Sequence, residues 1–180
     1  MSEEPSFEQL LGSARRSAVH LEMRDGYMTS DPDYVAWQAG VRDTPAGGDP
    51  ETRPWLAWVG DATKRGVVIR RARVFSVPES DYLRFEHHVS HANVRAGEQI
   101  RWLSRRRATD IAFPGNDFWV FDDELVLVLH FTGDGESPDD WWELTDDPQV
   151  LRLCSGAFEA VWERGVPHEE YRPSPVGERA

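Results

Sequence analysis

The 180-residue sequence lacks the features of an exported or membrane-spanning protein. Its one cysteine, Cys154, cannot form a disulfide within the chain, which favours a reducing compartment. No apolar run approaches the roughly 18 residues that a membrane helix needs. Residues 1–5 show neither the basic nor the apolar segment that begins a signal peptide. These absences predict a cytoplasmic protein that does not associate with a membrane.

Lysine is almost absent as well, since Lys64 is the one lysine among 20 basic residues. The formal net charge is −12, but residues 64–107 hold eleven basic against four acidic side chains and are therefore +7. Because most of the surface repels a polyanion, we expect no direct binding of nucleic acid. The basic segment has two interpretations: a local anion site, or arginines paired with the chain's own carboxylates.

The sequence also lacks the common catalytic motifs. It has no Gly-x-Ser-x-Gly elbow and no phosphate-binding loop, which disfavours acyl transfer and nucleotide hydrolysis. His87 and His91 have the spacing of metal ligands on a helix, but His88 stands where a metalloprotease needs glutamate. Cys154 falls on the apolar face of a predicted helix, which indicates an inert thiol. We therefore expect no metal and no cofactor.

Apolar residues make up 39% of the chain and aromatic residues 11%, enough for one packed core. We predict a single globular domain over residues 1–171 and a flexible tail over 172–180. Helical spacing and capping residues predict the helices, and runs of apolar and β-branched residues predict the strands. The predicted helices span 6–23, 31–40, 80–97 and 147–165, the predicted strands span 66–77 and 98–104, a hairpin spans 117–131, and a surface loop spans 43–54.

This order of elements predicts an α/β (α+β) fold in which a small mixed sheet with a central antiparallel hairpin is covered by helices. The second arm of the hairpin, residues 125–129, is apolar without alternation, so both of its faces should be covered. Arg70, Arg71 and Arg73 are interleaved with the apolar residues of the strand over 66–77, which predicts that one face of this strand is exposed to solvent.

Five strings resemble an actinobacterial family of unknown function: AVHLEMRDGY at 18–27, RARV at 71–74, SDYLRFEH at 80–87, GEQIRWL at 97–103 and DFWVFDD at 117–123. The resemblance covers residues 7–171. Members of that family often lie beside helix-turn-helix regulators, which implies a regulatory setting. The family supplies no catalytic residues to carry over.

The element order is similar, more weakly, to the half-domain of phospholipase D-like phosphodiesterases. That family carries His-x-Lys followed four residues later by Asp. With that Asp aligned to Asp122, Gly115 and Asp117 stand in the places of the His and the Lys. The resemblance therefore implies an inactive relative used for binding.

The leading hypothesis is a non-catalytic regulatory or partner-binding domain that acts with a separate helix-turn-helix regulator. Its candidate residues share the capacity to bind an anion or a carboxylate-rich protein. They are Arg71, Arg73, Tyr82, Arg84, His87 and Arg101. Two alternatives stay open: a hydrolase that uses Asp122, His87 and Glu86 with or without a metal, and an interaction protein whose surface displays Trp141 and Trp142.

Overall fold

The computed structural model describes residues 5–42 and 53–174. In these residues the chain forms five helices and seven strands, with one turn of 3-10 helix at Arg105–Arg107. The elements in chain order are α1 (Phe7–Ser13), β1 (Ser17–Glu22), α2 (Pro32–Gln38), α3 (Pro54–Lys64), β2 (Val68–Phe75), α4 (Asp81–Ala96), β3 (Gln99–Ser104), β4 (Asp117–Phe121), β5 (Leu125–Leu129), β6 (Trp142–Thr145), α5 (Pro148–Arg164) and β7 (Val166–Pro167).

The strands form one sheet in the order β6-β5-β4-β1-β2-β3-β7. β1, β2 and β3 run parallel, and the other pairings are antiparallel. The mixed α/β fold is therefore confirmed, and so is the hairpin, which is formed by β4 and β5. β1 is the middle strand, and the hairpin lies directly beside it.

Helices cover both faces of the sheet. On one face α5 packs Phe158 and Val161 against Leu21 and Val74 of β1 and β2. On the other face α1 and α3 cover the ends of the strands where Ala18 lies. α4 packs beside α3 on this second face, and its tyrosine and phenylalanine side chains contact α2. The central strands are consequently buried on both sides.

Local signals account for the two longest helices. The Ser80 hydroxyl accepts the N–H of Leu83 at the start of α4, and Gly97 ends this helix in the left-handed conformation with φ of 107°. The Asp147 carboxylate accepts two backbone N–H groups at the start of α5, directly before Pro148. Both helices were predicted from these residues. None of the helices in the described residues is both long and apolar enough to cross a membrane.

The predicted helix over 6–23 is wrong beyond its first two turns. Its capping box, Ser6 with Gln9, is present, but the helix ends at Ser13 and residues 17–22 form β1. A strand that is buried on both faces does not show the alternation of polar and apolar residues that identifies a half-buried strand. Ala18 and Leu21 happened to continue the apolar spacing of α1, so the helix was predicted to extend over β1. α3 was not predicted, and it begins at Pro54, the last residue of the predicted loop. The rest of that loop, 43–52, lies outside the described residues.

The prediction that one face of β2 is exposed to solvent is also wrong. Arg70 lies beneath α5, where it pairs with Glu159 and contacts the ring of Phe158. Arg71 and Arg73 lie on the opposite face, with side chains only 12% and 5% exposed. The charges are tolerated in the interior because carboxylates pair with them, a long-range effect that local alternation does not reveal. Of the predicted tail, residues 175–180 lie outside the described residues.

Candidate functional site

The register of β1 and β2 brings polar side chains together in the centre of the sheet. His20 lies opposite Arg71, and Glu22 lies opposite Arg73, in the parallel pairing of the two strands. Residues two apart along a strand point to the same face, so all four side chains share one face. This is the face that α3 and α4 cover. The sheet therefore has a charged patch at a position where most proteins place apolar residues.

Two arginines and three glutamates form a buried network on this face. Arg71 donates to Glu22 through Nη1 and to Glu98 through Nε, both at 2.6 Å. Arg73 Nη1 lies 2.5 Å from Glu22 Oε2, and Arg73 Nη2 donates to Glu86. Glu22 thus bridges the two guanidinium groups. Each charge has a partner, as a buried charge requires.

Burial and the neighbouring charges act in opposite directions on the pKa values of the network. Burial opposes the charge on Arg71, but Glu98 and Glu22 outweigh it and raise the pKa of Arg71. Burial likewise opposes the ionisation of Glu86, yet Arg73, Arg71 and a 2.9 Å hydrogen bond from Tyr82 lower its pKa. For Glu22 burial outweighs both arginines and raises the pKa.

His20 lies beside this network and is electrically neutral. Burial lowers its pKa well below the usual value, and the nearby charges of Arg71 and Arg73 lower it further. Its ring stacks on Trp119 with the centroids 4.2 Å apart. Nδ1 lies 3.5 Å from Glu22 Oε1, which favours the tautomer with hydrogen on Nδ1. In the part of the chain that the structure describes, neither ring nitrogen of His20 has a hydrogen-bond partner.

A cavity of about 260 Å³ opens over His20 and the arginine–glutamate network. One aromatic wall consists of Phe7, Trp55 and Trp119, whose ring centroids lie 5.2 to 5.4 Å apart. The other wall contains Phe131, in contact with Tyr27 and Trp141. The lining residues are Phe7, His20, Glu22, Tyr27, Met28, Trp55, Arg71, Arg73, Tyr82, Glu86, Trp119, Leu129, Phe131 and Trp141. An apolar cavity with a few convergent polar groups is typical of a small-molecule site.

Trp55 adds another polar atom without a hydrogen-bond partner in the described residues. Its indole Nε1–H is buried and has no hydrogen-bond acceptor within residues 5–42 and 53–174. A buried indole N–H usually has an acceptor. The cavity lining thus combines an unused donor on Trp55 with an unused acceptor on His20. Glu22 Oε2 and Arg73 Nε also lack a hydrogen bond among the described residues, although the two side chains form an ion pair.

A buried acid supports the second aromatic wall. The Tyr27 hydroxyl donates a hydrogen bond to Asp117, which also accepts the backbone N–H of Met23 at 2.9 Å. Burial raises the pKa of Asp117 to about 6 although the hydrogen bond from Tyr27 opposes the shift. This carboxyl fixes the Tyr27 ring at the edge of the cavity.

The structure brings together three of the six predicted site residues, Arg71, Arg73 and Tyr82, which all line the cavity. The other three lie elsewhere. Arg84 contacts Asp81 and the carbonyl of Ser174, Arg101 donates to the carbonyl of Trp162, and His87 contacts the carbonyl of Tyr171.

Sequence reasoning did not select four residues at the centre of the cavity: His20, Glu22, Trp55 and Trp119. The misassignment of β1 as helix hid the first two, and α3, which carries Trp55, was not predicted. The alternating arginines of β2 were the one local signal of a polar patch on the sheet. These arginines pointed to β2, but they gave no indication of which side chains on other elements pair with them.

The residues of the hydrolase alternative do not converge. Asp122 accepts the backbone N–H groups of Arg15, Arg16 and Ser17 at the start of β1. Glu86 pairs with Arg73. Arg73 lies beside Glu22, the last residue of β1, whereas Asp122 lies at the first residue of that strand. His87 contacts the chain after β7. Each candidate has a separate structural partner.

The histidine pair on α4 takes part in a hydrogen-bonded cluster. His168 accepts the indole N–H of Trp102 on Nδ1, and its Nε2 lies 3.1 Å from His91 Nδ1. His87 stacks on His168 with the centroids 4.5 Å apart. Among the described residues no group of three or more His, Cys, Asp or Glu side chains is arranged to hold a metal ion.

Two further residue predictions concern burial. Cys154 is 1% exposed, and burial raises its pKa to about 11, so the thiol is an unreactive core residue. Trp141 and Trp142 are half-buried and stacked on each other. Trp141 contributes to the cavity wall. The pair does not form the exposed patch that the interaction-protein alternative requires.

Fold and site together define a mixed α/β domain with a buried, aromatic-walled cavity. The family model described as a domain of unknown function, DUF6879, matches residues 5–173, and the chain belongs to this family. No curated protein matches the chain.

Two solved structures are weakly similar to it. One is Nuc from Salmonella typhimurium, a phospholipase D family member, with 15% identity over 92% of this chain and 88% of that chain and a TM-score of 0.49. The other is TrmBL2, an archaeal chromatin protein, with 14% identity over 88% of this chain and 47% of that chain and a TM-score of 0.44.

Proposed function

We propose that the chain is a non-catalytic, ligand-binding regulatory domain of the cytoplasm that acts with a separate DNA-binding regulator. The observation that carries the proposal is the cavity in which His20 and Trp55 hold polar atoms without partners among the described residues. An unsatisfied buried polar group costs about 1–3 kcal/mol. A ligand that hydrogen-bonds to these atoms removes the cost, and the cavity has the aromatic walls to bind it.

The geometry supports binding over catalysis. A general acid or base works best with a pKa near the operating pH and within reach of the substrate. Burial lowers the pKa of His20 well below its usual value, and Arg73 lowers the pKa of Glu86 despite its burial. Asp122, His87 and Glu86 are held apart by separate structural partners. The hydrolase alternative therefore has less support than ligand binding.

The regulatory part of the proposal is supported by the resemblance to an actinobacterial family whose members often lie beside helix-turn-helix regulators. The net charge of −12 disfavours direct contact of this chain with DNA. The DNA contact is therefore assigned to the partner, and this domain responds to the ligand. The Arg84 side chain is 14% exposed beside the more exposed Asp81, and its exposed part is the candidate contact for a carboxylate-rich partner surface.

The ligand is sought by equilibrium dialysis of the purified protein against a concentrated small-molecule extract of the cells that produce it. Enriched compounds are identified by mass spectrometry. Met28 lines the cavity and is 41% exposed, so Met28→Trp adds bulk there without disturbing the core. Leu153→Trp is the matched control, because Leu153 is 40% exposed on α5, across the sheet.

The proposal predicts that one compound is enriched by the wild type and by L153W but not by M28W. Enrichment of no compound by the wild type, or equal enrichment by M28W, contradicts it. The partner is tested by co-expression with the helix-turn-helix protein encoded nearest to this chain. Stoichiometric co-purification that Arg84→Glu weakens supports the proposal, and independent elution of the two proteins contradicts the partnership.

A further inference from the structure

We infer that the cavity takes a neutral, flat ring compound with an amide-type edge, in which a hydrogen-bond donor and a hydrogen-bond acceptor lie side by side. The inference rests on the proposed ligand-binding function and specifies the chemical class of the ligand. It differs from the anionic ligand that the sequence suggested. Charge, hydrogen bonding and shape each support it.

The charges that line the cavity are already paired with one another. Arg71 and Arg73 contribute two positive charges, and Glu22 and Glu86 contribute two carboxylates in contact with them. Glu98, behind Arg71, adds a third carboxylate. The arginines are thus engaged, and an anion would have to displace one of these carboxylates. A cation would have to compete with the arginines for these carboxylates, so a neutral ligand fits best.

Apart from the ion-paired Glu22 and Arg73, which also have an atom without a hydrogen bond, the unused polar atoms of the lining require one donor and one acceptor from the ligand. His20 is neutral, and with hydrogen on Nδ1, towards Glu22, its Nε2 is an acceptor. Trp55 offers an indole N–H, which is a donor only. A primary amide or a lactam carries N–H and C=O on the same edge and complements this pair. A carboxylate has no donor for His20, and an amidinium has no acceptor for Trp55.

The walls favour a planar ring. Phe7, Trp55 and Trp119 form one side, and Phe131 and Trp141 belong to the other. Aromatic faces and edges bind flat rings through stacking and edge-to-face contacts. The volume of about 260 Å³ lies slightly below the roughly 300–1,000 Å³ of drug-sized pockets, which suits a ligand of one or two rings.

Three probes of nearly equal shape test the charge and the edge: benzamide, which is neutral, benzoate, which is anionic, and benzamidinium, which is cationic. Each is titrated into the wild type, and its Kd is measured by NMR. We expect benzamide to have the lowest Kd, by at least about fivefold, the ratio that corresponds to about 1 kcal/mol. Binding should be lost in M28W and retained in L153W.

The hydrogen bond to His20 is tested with His20→Phe, which keeps the stack on Trp119 and removes both nitrogens. We expect it to raise the Kd of benzamide at least about tenfold, which corresponds to about 1.4 kcal/mol. Equal benzamide binding by H20F overturns the inference. Tighter binding of benzoate or benzamidinium also overturns it, and if M28W blocks that binding, the proposed function itself stands. Absence of binding by all three probes overturns the inference, and the dialysis experiment then decides the proposed function independently.

Discussion

His20 lies on the face of Trp119 at an interplanar angle of 24°, yet in the described residues neither of its nitrogens has a hydrogen-bond partner. His168 is the contrasting case, because it is fully buried and both of its nitrogens have partners, in Trp102 and His91. One buried histidine thus stabilises the fold through its polar atoms, and the other does not. A buried polar side chain that lowers stability because it makes no hydrogen bond is expected at a functional site.

Replacement of the two histidines by phenylalanine should therefore have opposite effects. We expect His20→Phe to raise the free energy of unfolding by about 1 kcal/mol, because the desolvation cost is removed and the cavity beside the ring has room. His168→Phe should lower it by about 2 kcal/mol, since it leaves Trp102 without an acceptor. Urea unfolding measures both. A loss of stability in H20F as large as that in H168F would contradict a binding role for His20.

The buried arginine–glutamate network makes a second prediction. We expect Arg71→Met to lower the free energy of unfolding by about 3–5 kcal/mol, because Glu22 and Glu98 then lose a buried counter-charge. Lys64→Ala is the control: it removes an ion pair with Asp61 whose side chains are 78% and 69% exposed, and it should change stability by less than about 0.5 kcal/mol. Similar losses in the two variants, measured by urea unfolding, would refute the assignment of a buried network.

The helices and the hairpin whose ends are marked by capping or turn residues could be predicted from the sequence. Ser80 and Gly97 mark the ends of α4, Asp147 marks the start of α5, and the turn at Asp122 and Asp123 marks the hairpin. These signals act within a few residues, so they can be identified without knowledge of the fold.

The cavity has no such local signal. It depends on the register that sets His20 against Arg71, and on α3 bringing Trp55 to within 5.4 Å of the Trp119 ring. Register between strands far apart in sequence is fixed by the whole sheet. Arg71 was therefore identified as a candidate from its strand, whereas its carboxylate partners were not identified.

Asp117 predicts a pH dependence of stability. Its pKa is about 6 in the folded state, compared with about 3.9 for an unperturbed aspartate, so the folded state binds this proton more tightly. The contribution of Asp117 to the free energy of unfolding should be greatest below about pH 4 and should fall as the pH rises to about 6. At 1.36 kcal/mol per pKa unit, the total fall is about 3 kcal/mol.

Asp117→Asn cannot ionise, so its urea unfolding should lack this component of the pH dependence. The difference between the wild type and D117N, measured from pH 4 to 7, isolates the contribution of Asp117. An unchanged difference across this range would show that the carboxyl titrates normally.

The hairpin turn carries local strain that one substitution should relieve. Asp122 and Asp123 have φ values of 54° and 57°, a region that glycine adopts at lower cost. We expect Asp123→Gly to raise the thermal midpoint, by the equivalent of about 0.5–1 kcal/mol. Asp122→Gly should instead lower it, because the Asp122 carboxylate accepts three backbone N–H groups. Equal effects of the two substitutions would contradict the separate roles assigned to them.

The central claim, that the aromatic-walled cavity is the ligand site, is tested most directly by the indole N–H signals of the eight tryptophans in ¹⁵N NMR spectra. Trp55, Trp119 and Trp141 line the cavity, and Trp162 lies on α5 across the sheet. On addition of the compound enriched by dialysis, we predict that the Trp55 signal moves most, that those of Trp119 and Trp141 follow, and that the Trp162 signal stays in place. A shift of Trp162 with an unmoved Trp55 would place the ligand elsewhere and contradict the claim.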